Sequence, residues 1–431
     1  YAAAALDGTD VEAARRGLEA LYDQYLLAEP AQGRYRMHDL IREHARALAG
    51  RADPDRDRQD ATARLLDYYQ HAATRADALI GRQARPAPAF ADGPVPAAVP
   101  VLAGREQALA WARAERAGLL ACLDHATAGG QHARVIALTA GLAGLLRSDG
   151  PWAEAITLHE AALQAARHLG DRLGQAGALN YLGDLRRLTG EYPPAAQAQE
   201  QALGIYRDLG NRLGQANALN YLGMVRLATG EYPAAAQAQE QALGIYRELG
   251  DRVGQANALS ELGTVWRLTG QYPAAAQVLE QALGLYRELG NRLGQANAQS
   301  QFGTVRRLTG EYPAAAQAQE QALGLYRDLG HRGGEAEALN ERGTLHRVSG
   351  DLVQAERCHQ RVLDLARAIA SSWDEAHALA GLGRCALAAG QATQAEILLR
   401  QALEIFQRTG AAEADGVARE LTALTEAGPP A

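Results

Sequence analysis

Lysine is missing from the chain: all 43 basic residues are arginine. Without a lysine ammonium this chain can build no Walker A P-loop, form no Schiff base and use no lysine general base. Cysteine is nearly as scarce, with Cys122, Cys358 and Cys385 on expected helices and no CxxC spacing. That pattern gives neither a disulfide framework nor a zinc site and fits a reducing, cytoplasmic setting. No apolar run reaches the roughly 18 uncharged residues that a membrane span requires, and no leader-like segment is visible, so no membrane partner is expected. The chain opens at Tyr1 without Met and enters helical sequence at once, which reads as a piece of something larger.

Charge of neither sign dominates. The 50 acidic residues outnumber the basic ones for a formal charge of -7, which supplies no electrostatic reason for nucleic acid as the main partner. Assembled chemistry is missing too: the eleven histidines are scattered, and no Ser/His/Asp or HExxH arrangement occurs. Cys358 and His359 are adjacent and so point to different sides of a helix. The chain is therefore expected to hold no catalytic residues, no metal ligands and no cofactor of its own. Aromatic residues are few (5%), and apolar character comes mostly from Ala and Leu, as closely packed helices need. The expected class is all-α.

What the chain does have is a tract that repeats every 40 residues, cleanest over 211–330. A period of that length carrying one helix-turn-helix per unit marks a solenoid, in which no unit buries its own apolar face and stacking closes the core. Units fall at 131–170 (degenerate), 171–210, 211–250, 251–290, 291–330, 331–370 and 371–410. In each, Asn211 or its equivalent opens helix A, Gly230 closes it and Pro233 opens helix B. Helix B is expected to bury Ala235, Ala238, Ala242, Ile245 and Leu249. A final helix, about Ala412 to Leu424, would cap the array within a closing segment 411–431.

Ahead of the array, residues 1–50 read as a small unit: an amphipathic helix near Val11 to Leu27, a turn at Gly33, extended Arg34-Tyr35-Arg36, then a helix capped by Asp39 and stopped at Gly50. A connecting helix follows within 51–82, with Asp53 as cap, Pro54 in the first helical position, and Leu65, Leu66, Tyr69 and Ala73 on the apolar face as far as Ile80. Pro86, Pro88, Pro94, Pro96 and Pro100 make 83–104 an extended linker, and helical pattern returns over 105–130.

The 40-residue unit resembles the tetratricopeptide repeat, whose small residues bring helices A and B together: Gly223 with Ala235 and Ala242, Gly263 with Ala275 and Ala282, Gly303 with Ala315 and Ala322. That repeat is ordinarily about 34 residues, so this is a longer-helix variant. The resemblance implies a right-handed superhelix with helix A lining a concave groove. The residues RYRMHDLIREHA resemble the end of the winged-helix subdomain of STAND-type NTPases of the NB-ARC class, with Met37-His38-Asp39 as its Met-His-Asp signature. In that family the motif's His approaches the β-phosphate of bound ADP, a role that would fall to His38 beside a helix N-terminus. Trp111, Glu115 and Leu119 resemble the helix pair that leads into the repeats of bacterial STAND regulators. The implied protein is a transcriptional regulator whose ADP or ATP belongs to an upstream core and whose array is the sensor, with that core as intramolecular partner. Arg34, Arg36, Arg42 and Arg46 lie beside Asp39 and Glu43, which makes a solvated or intramolecular face a better reading than direct DNA contact.

Internal comparison places the variable face. Units 211–250 and 291–330 differ mainly in helix A, at Leu219, Asn220, Tyr221, Leu222, Met224, Leu227 and Ala228. The groove is expected to present Asn217, Asn257 and Asn297 as one row and Asn180, Asn220, Ser260, Ser300 and Asn340 as a second. Arg187, Arg267, Arg307 and Arg347 form a third row. Amides can hold an extended backbone and guanidinium forks can grip carboxylates, which would suit an acidic peptide or protein segment. A stand-alone scaffold binding peptides in the same groove remains the alternative, and solvated faces drifting after duplication would give the same variation.

Overall fold

The computed structural model describes residues 1–81, 96, 98–369, 371–409 and 413–426. Most of the proline-rich stretch, including Pro86, Pro88 and Pro94, lies outside the described residues, as does Ala412. Two compact units divide the chain, Tyr1–Glu231 and Tyr232–Ala431.

The first unit opens with α1 (Ala2–Asp7) and α2 (Val11–Asp23), the latter capped by Asp10, whose carboxylate accepts from the Ala13 N–H at 2.7 Å. Helix α2 stops earlier than the apolar spacing indicates. Pro30 cannot sit in a helix interior, and the segment instead forms β1 (Leu27–Ala31), paired antiparallel with β2 (Arg34–Met37) in the register Leu27 to Met37 and Ala28 to Arg36. Gly33, at φ 71°, turns the hairpin. Helix α3 (Asp39–Ala52) has His38, not Asp39, as its N-cap and runs through Gly50. Asp53 is extended, as a residue before proline must be, so α4 (Asp55–Ile80) starts after Pro54.

Next come α5 (Arg105–Ala128), α6 (His132–Asp149), α7 (Trp152–Leu169), α8 (Arg172–Leu188), α9 (Tyr192–Asp208) and α10 (Arg212–Ala228). Leu66, Tyr68, Ala72 and Ile80 of α4 form one core with Leu119 and Leu123 of α5 and Leu138, Leu142 and Leu146 of α6. Gly144 lets α4 and α6 close together, since a Cβ there would strike Asp77 and Ile80, and its N–H donates to the buried Asp77 carboxylate at 2.7 Å.

The second unit contains α11 (Tyr232–Leu249), α12 (Arg252–Leu268), α13 (Tyr272–Glu288), α14 (Arg292–Leu308), α15 (Tyr312–Asp328), α16 (Arg332–Val348), α17 (Leu352–Ala368), α18 (Ser372–Ala388), α19 (Ala392–Thr409) and α20 (Glu413–Glu426). Helix α20 closes the stack by burying Val417 and Leu421, and Arg384 of α18 grips Glu420 through two nitrogens. All-α helical-hairpin stacking is thus the architecture of both units, beside one two-stranded hairpin.

One device recurs at the joints between repeats. The side chains of Asn211, Asp251 and Asn291 cap helix A by accepting from the N–H of Gly214, Gly254 and Gly294 at 2.8, 3.0 and 2.9 Å. Each of those glycines lies under the ring of the tyrosine ending the previous helix B, Tyr206, Tyr246 or Tyr286, so that a Cβ would run into the ring. The glutamine that follows, Gln215, Gln255 or Gln295, donates its amide to that same tyrosine's carbonyl at 3.2 Å.

Inside a repeat the contact differs from the glycine and alanine pairing expected from the sequence. Ala275, Ala282, Ala315 and Ala322 are fully buried, yet the notch at Gly263 is filled by Leu279 and that at Gly303 by Gln319. Equivalent fillers are Gln199 over Gly183, His359 over Gly343 and Leu399 over Gly383. Helix B buries Ala235, Ala238, Ala242 and Ile245 as expected, but Leu249 is exposed in the last turn while Gln239, Leu243 and Tyr246 are inside.

His359 is the titratable member of the filler row. It is wedged between Gly343 and Gly381, with Nδ1 2.9 Å from Asn340 Oδ1. Burial, then Arg347 and Arg384, drive its pKa from 6.5 down to about 4. A base with a lowered folded pKa contributes stability that is complete above its unfolded value and lost as pH falls from there toward 4. At about 1.4 kcal/mol per unit this amounts to roughly 3 kcal/mol. His359→Gln, which installs the residue found at 199, 239 and 319, is expected to remove most of that acid sensitivity; thermal melts of both proteins at pH 7.5 and 4.5 measure it.

Candidate ligand-binding face

Helix A of each repeat offers one face to its own helix B and another outward, and the expected groove residues divide between them. The first amide row belongs to the packing: Asn217 and Asn257 are 4% exposed, and the Asn257 and Asn297 Oδ1 atoms accept from the Tyr286 and Tyr326 hydroxyls at 2.8 Å. The second row is inward as well. Asn180, Asn220, Ser260 and Ser300 are buried, Gln199 donates to the Asn180 carbonyl and Gln319 to the Ser300 carbonyl, and half-buried Asn340 holds His359. These positions, expected on the surface of a groove, instead satisfy polar side chains of helix B. The reason is physical: a buried glutamine, histidine or tyrosine hydroxyl needs a partner one helix away, which is the side-chain oxygen of Asn340, Asn257 or Asn297 for His359, Tyr286 and Tyr326, and the main-chain carbonyl of Asn180 or Ser300 for Gln199 and Gln319.

The arginine row does lie toward the outer face of helix A, half-buried throughout. Arg187 donates to Asp184 through Nε and Nη2, at 3.2 and 2.7 Å. Arg307 donates to Glu341 of the next repeat at 3.3 and 3.1 Å, and Thr304 Oγ1 reaches the same carboxylate at 3.1 Å. Thr264 likewise reaches Gln301. Arg267 has a buried Nε with no hydrogen-bond partner among the described residues. Arg347 stands near His359 and Cys385.

Two acidic residues on this face escaped the sequence reading. Glu337 takes the place of Asn217, Asn257 and Asn297, in a repeat where Ala366 stands at the position of Tyr206, Tyr246, Tyr286 and Tyr326. That paired departure was visible in the sequence. Glu337 is open to solvent yet hemmed in by protein; this enclosure first, then the carboxylates of Glu341 and Asp374, push its pKa up to about 7 against the pull of Arg267. The second is Asp184, at the position of Met224, Thr264 and Thr304. It is fully buried, and Arg147 Nε donates to it at 2.6 Å opposite Arg187. Burial alone would raise the Asp184 carboxyl, but the guanidiniums of Arg147 and Arg187 override it and hold it well below the usual carboxylate range.

The hairpin carrying Met37-His38-Asp39 is fastened to α5. Arg34 donates to Glu115 and to the Ala114 carbonyl, both at 2.7 Å, and the Tyr69 hydroxyl donates to the other Glu115 oxygen at 2.8 Å. Helix α5 in turn holds α6 through Arg113 and Asp149, at 2.6 and 2.8 Å, and α7 through Arg116 and Glu154, at 2.9 Å. His38 is exposed at the start of α3, and its ring makes no capping hydrogen bond. Among the described residues no group of three or more His, Cys, Asp or Glu could hold a metal ion, and no helix is long and apolar enough to cross a membrane.

Stacked helical hairpins joined by glycine notches, with polar and charged side chains along one face of helix A, define an α-solenoid built for interaction. The tetratricopeptide repeat model matches residues 134–208, 214–288, 254–328 and 334–408, and the chain belongs to that family. Regulatory protein AfsR of Streptomyces griseus is 36% identical over 191 residues, which cover 44% of this chain and 19% of that protein, less than a fifth of its length. A Rap protein solved in complex with Competence and Sporulation Factor aligns with TM-score 0.53 at 14% identity, covering 74% of this chain and 96% of that one. A STAND protein with a tetratricopeptide repeat sensor from Pyrococcus horikoshii aligns with TM-score 0.52 at 13% identity, over 97% of this chain and 61% of that one. At such identities the two solved structures show the fold alone.

Replacing Asp184 by Ala would strand two guanidiniums in a largely buried site. Loss of one partner from a buried ion pair costs roughly 3 to 5 kcal/mol, so urea denaturation should show a drop of that order; a change below about 1 kcal/mol would mean that water relieves the site.

Proposed function

We propose that this chain is the sensor region of a STAND-type NTPase regulator, receiving a peptide or protein segment on the outer face of its helix-A row and thereby controlling a nucleotide-binding core outside this chain. The observation that carries the proposal is a mechanical one. The Met37-His38-Asp39 hairpin is tied through Arg34 to Glu115 of α5, and α5 is tied to the first repeat through Arg113 and Arg116. A ligand that shifts the repeats therefore has a short, charged route to the motif.

Homology to a regulatory protein and the fold shared with a STAND sensor support this reading. A Rap protein solved with a bound factor supports a peptide or protein partner. For the nucleotide, His38 is the residue of this chain that fits: it is exposed at a helix N-terminus, where backbone N–H groups and the helix dipole favour an anion. ADP or ATP, when held by the core, supplies the two states between which the switch moves. This chain contributes a donor at the phosphate and the restraint on exchange. The ligand must prefer one of those states, since a ligand indifferent to both shifts nothing.

The open reading frame around this chain is expected to encode a P-loop ahead of Tyr1, and its absence would end the proposal. In the longer protein, release of a fluorescent ADP measured by stopped flow should accelerate about tenfold or more in His38→Ala, from loss of a charge-assisted hydrogen bond of about 1.5 to 3 kcal/mol. Arg267→Ala combined with Arg307→Ala should leave helicity intact by circular dichroism and weaken an acidic ligand; unaltered affinity would remove those two arginines from the binding face.

A further inference from the structure

In the repeats 171–210, 251–290 and 291–330 an ion pair closes the open end of the helical hairpin. The first residue of helix A, an arginine, meets a carboxylate in the last turn of helix B, 36 residues further on: Arg172 with Asp208 at 3.0 Å, Arg292 with Asp328 at 2.6 Å, and Arg252 with Glu288. Arg212 and Glu248 put the same residue types at the same two positions of the repeat 211–250. The hairpin of α6 and α7, which opens the array, departs from this at both positions. It carries His132 where the others have arginine and His168 where they have Asp or Glu.

The frame that elsewhere joins a guanidinium to a carboxylate here brings two imidazoles together. Their ring centroids lie 4.3 Å apart, with the ring planes inclined at 45°. His132 is half-buried and His168 exposed, and among the described residues neither ring takes part in a hydrogen bond or an ion pair. Two like side chains with nitrogens that the protein does not engage thus stand where the following repeats spend a salt bridge.

Neutral imidazole is the commonest side-chain ligand of metal ions. Metal–nitrogen bonds of about 2.0 to 2.1 Å require two donor atoms on one ion to lie within about 4 Å of each other. Centroids 4.3 Å apart meet that condition once the rings turn about their last torsion, which is broad for an imidazole. Two protein donors are fewer than the group of three that a closed site needs, so the remaining positions on a four-coordinate ion belong to water. Because the partners are a whole hairpin apart in sequence, no short metal motif displays them.

We propose that His132 and His168 form a two-histidine site for a divalent late transition-metal ion, of the class of Cu(II), Ni(II) and Zn(II), which staples α6 to α7 in place of the ion pair used by the following repeats. A site of imidazoles without carboxylates discriminates against Mg(II) and Ca(II), which take oxygen ligands. The staple closes the hairpin that α5 grips through Arg113 on Asp149 of α6 and Arg116 on Glu154 of α7, so a bound ion stiffens the first repeat at the point where α5 is attached.

The test uses the full chain and a double variant, His132→Arg with His168→Asp, that installs the residues found at 172 and 208. Both proteins are titrated by calorimetry and melted with Cu(II), Ni(II), Zn(II) or Mg(II) at about 100 µM, where an ion bound with micromolar affinity by the folded state raises the melting point. The wild type is expected to take up a single tight equivalent, with Cu(II) held most strongly as the order of divalent ions at nitrogen sites requires, to melt higher with it, and to ignore Mg(II). The double variant is expected to melt no lower than the metal-free wild type and to bind more weakly by roughly tenfold or more, having lost both ligands. His132→Gln and His168→Gln, made singly, are each expected to lose the same binding, and they carry the test should the double variant fold poorly. Equal binding by wild type and double variant places the ion on other side chains and overturns the site. Loss of binding in one single variant but not in the other overturns the pairing. Absence of both a bound equivalent and a melting shift in the wild type leaves His132 and His168 a ring contact only, and ends the proposal.

Discussion

The contact on which the rest depends is the tyrosine ring laid over a glycine at each joint. Tyr246 on Gly254 and Tyr286 on Gly294 bring the end of one helix B against the start of the next helix A at a distance that any side chain would forbid. Around that contact the N-cap side chain secures the glycine N–H and the glutamine amide secures the tyrosine carbonyl, so the polar backbone groups of a helix start and a helix end are satisfied together. A joint made this way is both close and saturated. Stability then accumulates repeat by repeat, as nearest-neighbour stacking requires.

Because these joints are so uniform, departures from them stand out as places where something other than packing has been served. In the repeat 331–370, His331 replaces the Asn or Asp cap, and its Nδ1 accepts the Gly334 N–H at 2.9 Å. The same repeat exchanges the Asn and Tyr pair for Glu337 and Ala366 and places His359 where glutamine or leucine otherwise fills the notch. In the first unit the departure is the Arg147, Asp184 and Arg187 triad. Regular joints hold the shape, and the irregular ones carry the charges that a ligand or a change of pH can address.

Much of the architecture was legible before any coordinates. The recurrence of Gly, Pro and Asn or Asp at fixed offsets gave the helix ends within a residue or two, because each obeys a local backbone rule. Helix α2, Leu249 and the amide rows were not read correctly. The apolar spacing carries α2 on to about Leu27, yet the helix stops at Asp23, and Leu27 instead opens a strand that forms by pairing with Arg34–Met37. Asn220 and Ser300 look like surface residues in a periodic pattern, since spacing reports which face a residue occupies but not whether a partner waits there. Arg147 sits in the degenerate first repeat, where the alignment that would have set it opposite Asp184 is weakest.

The sequence by itself determined the all-α class, the 40-residue period, the absence of lysine chemistry and the pairs of helices in each repeat. All of these follow from backbone preferences and side-chain inventories that act within a few residues. Only the tertiary structure decided which polar residues of helix A are spent inside the fold and which are left to meet a partner. That choice depends on the side chain facing each one across a helix contact, 19 residues away for Ser300 and Gln319 and 37 for Arg147 and Asp184. No local rule reaches that far.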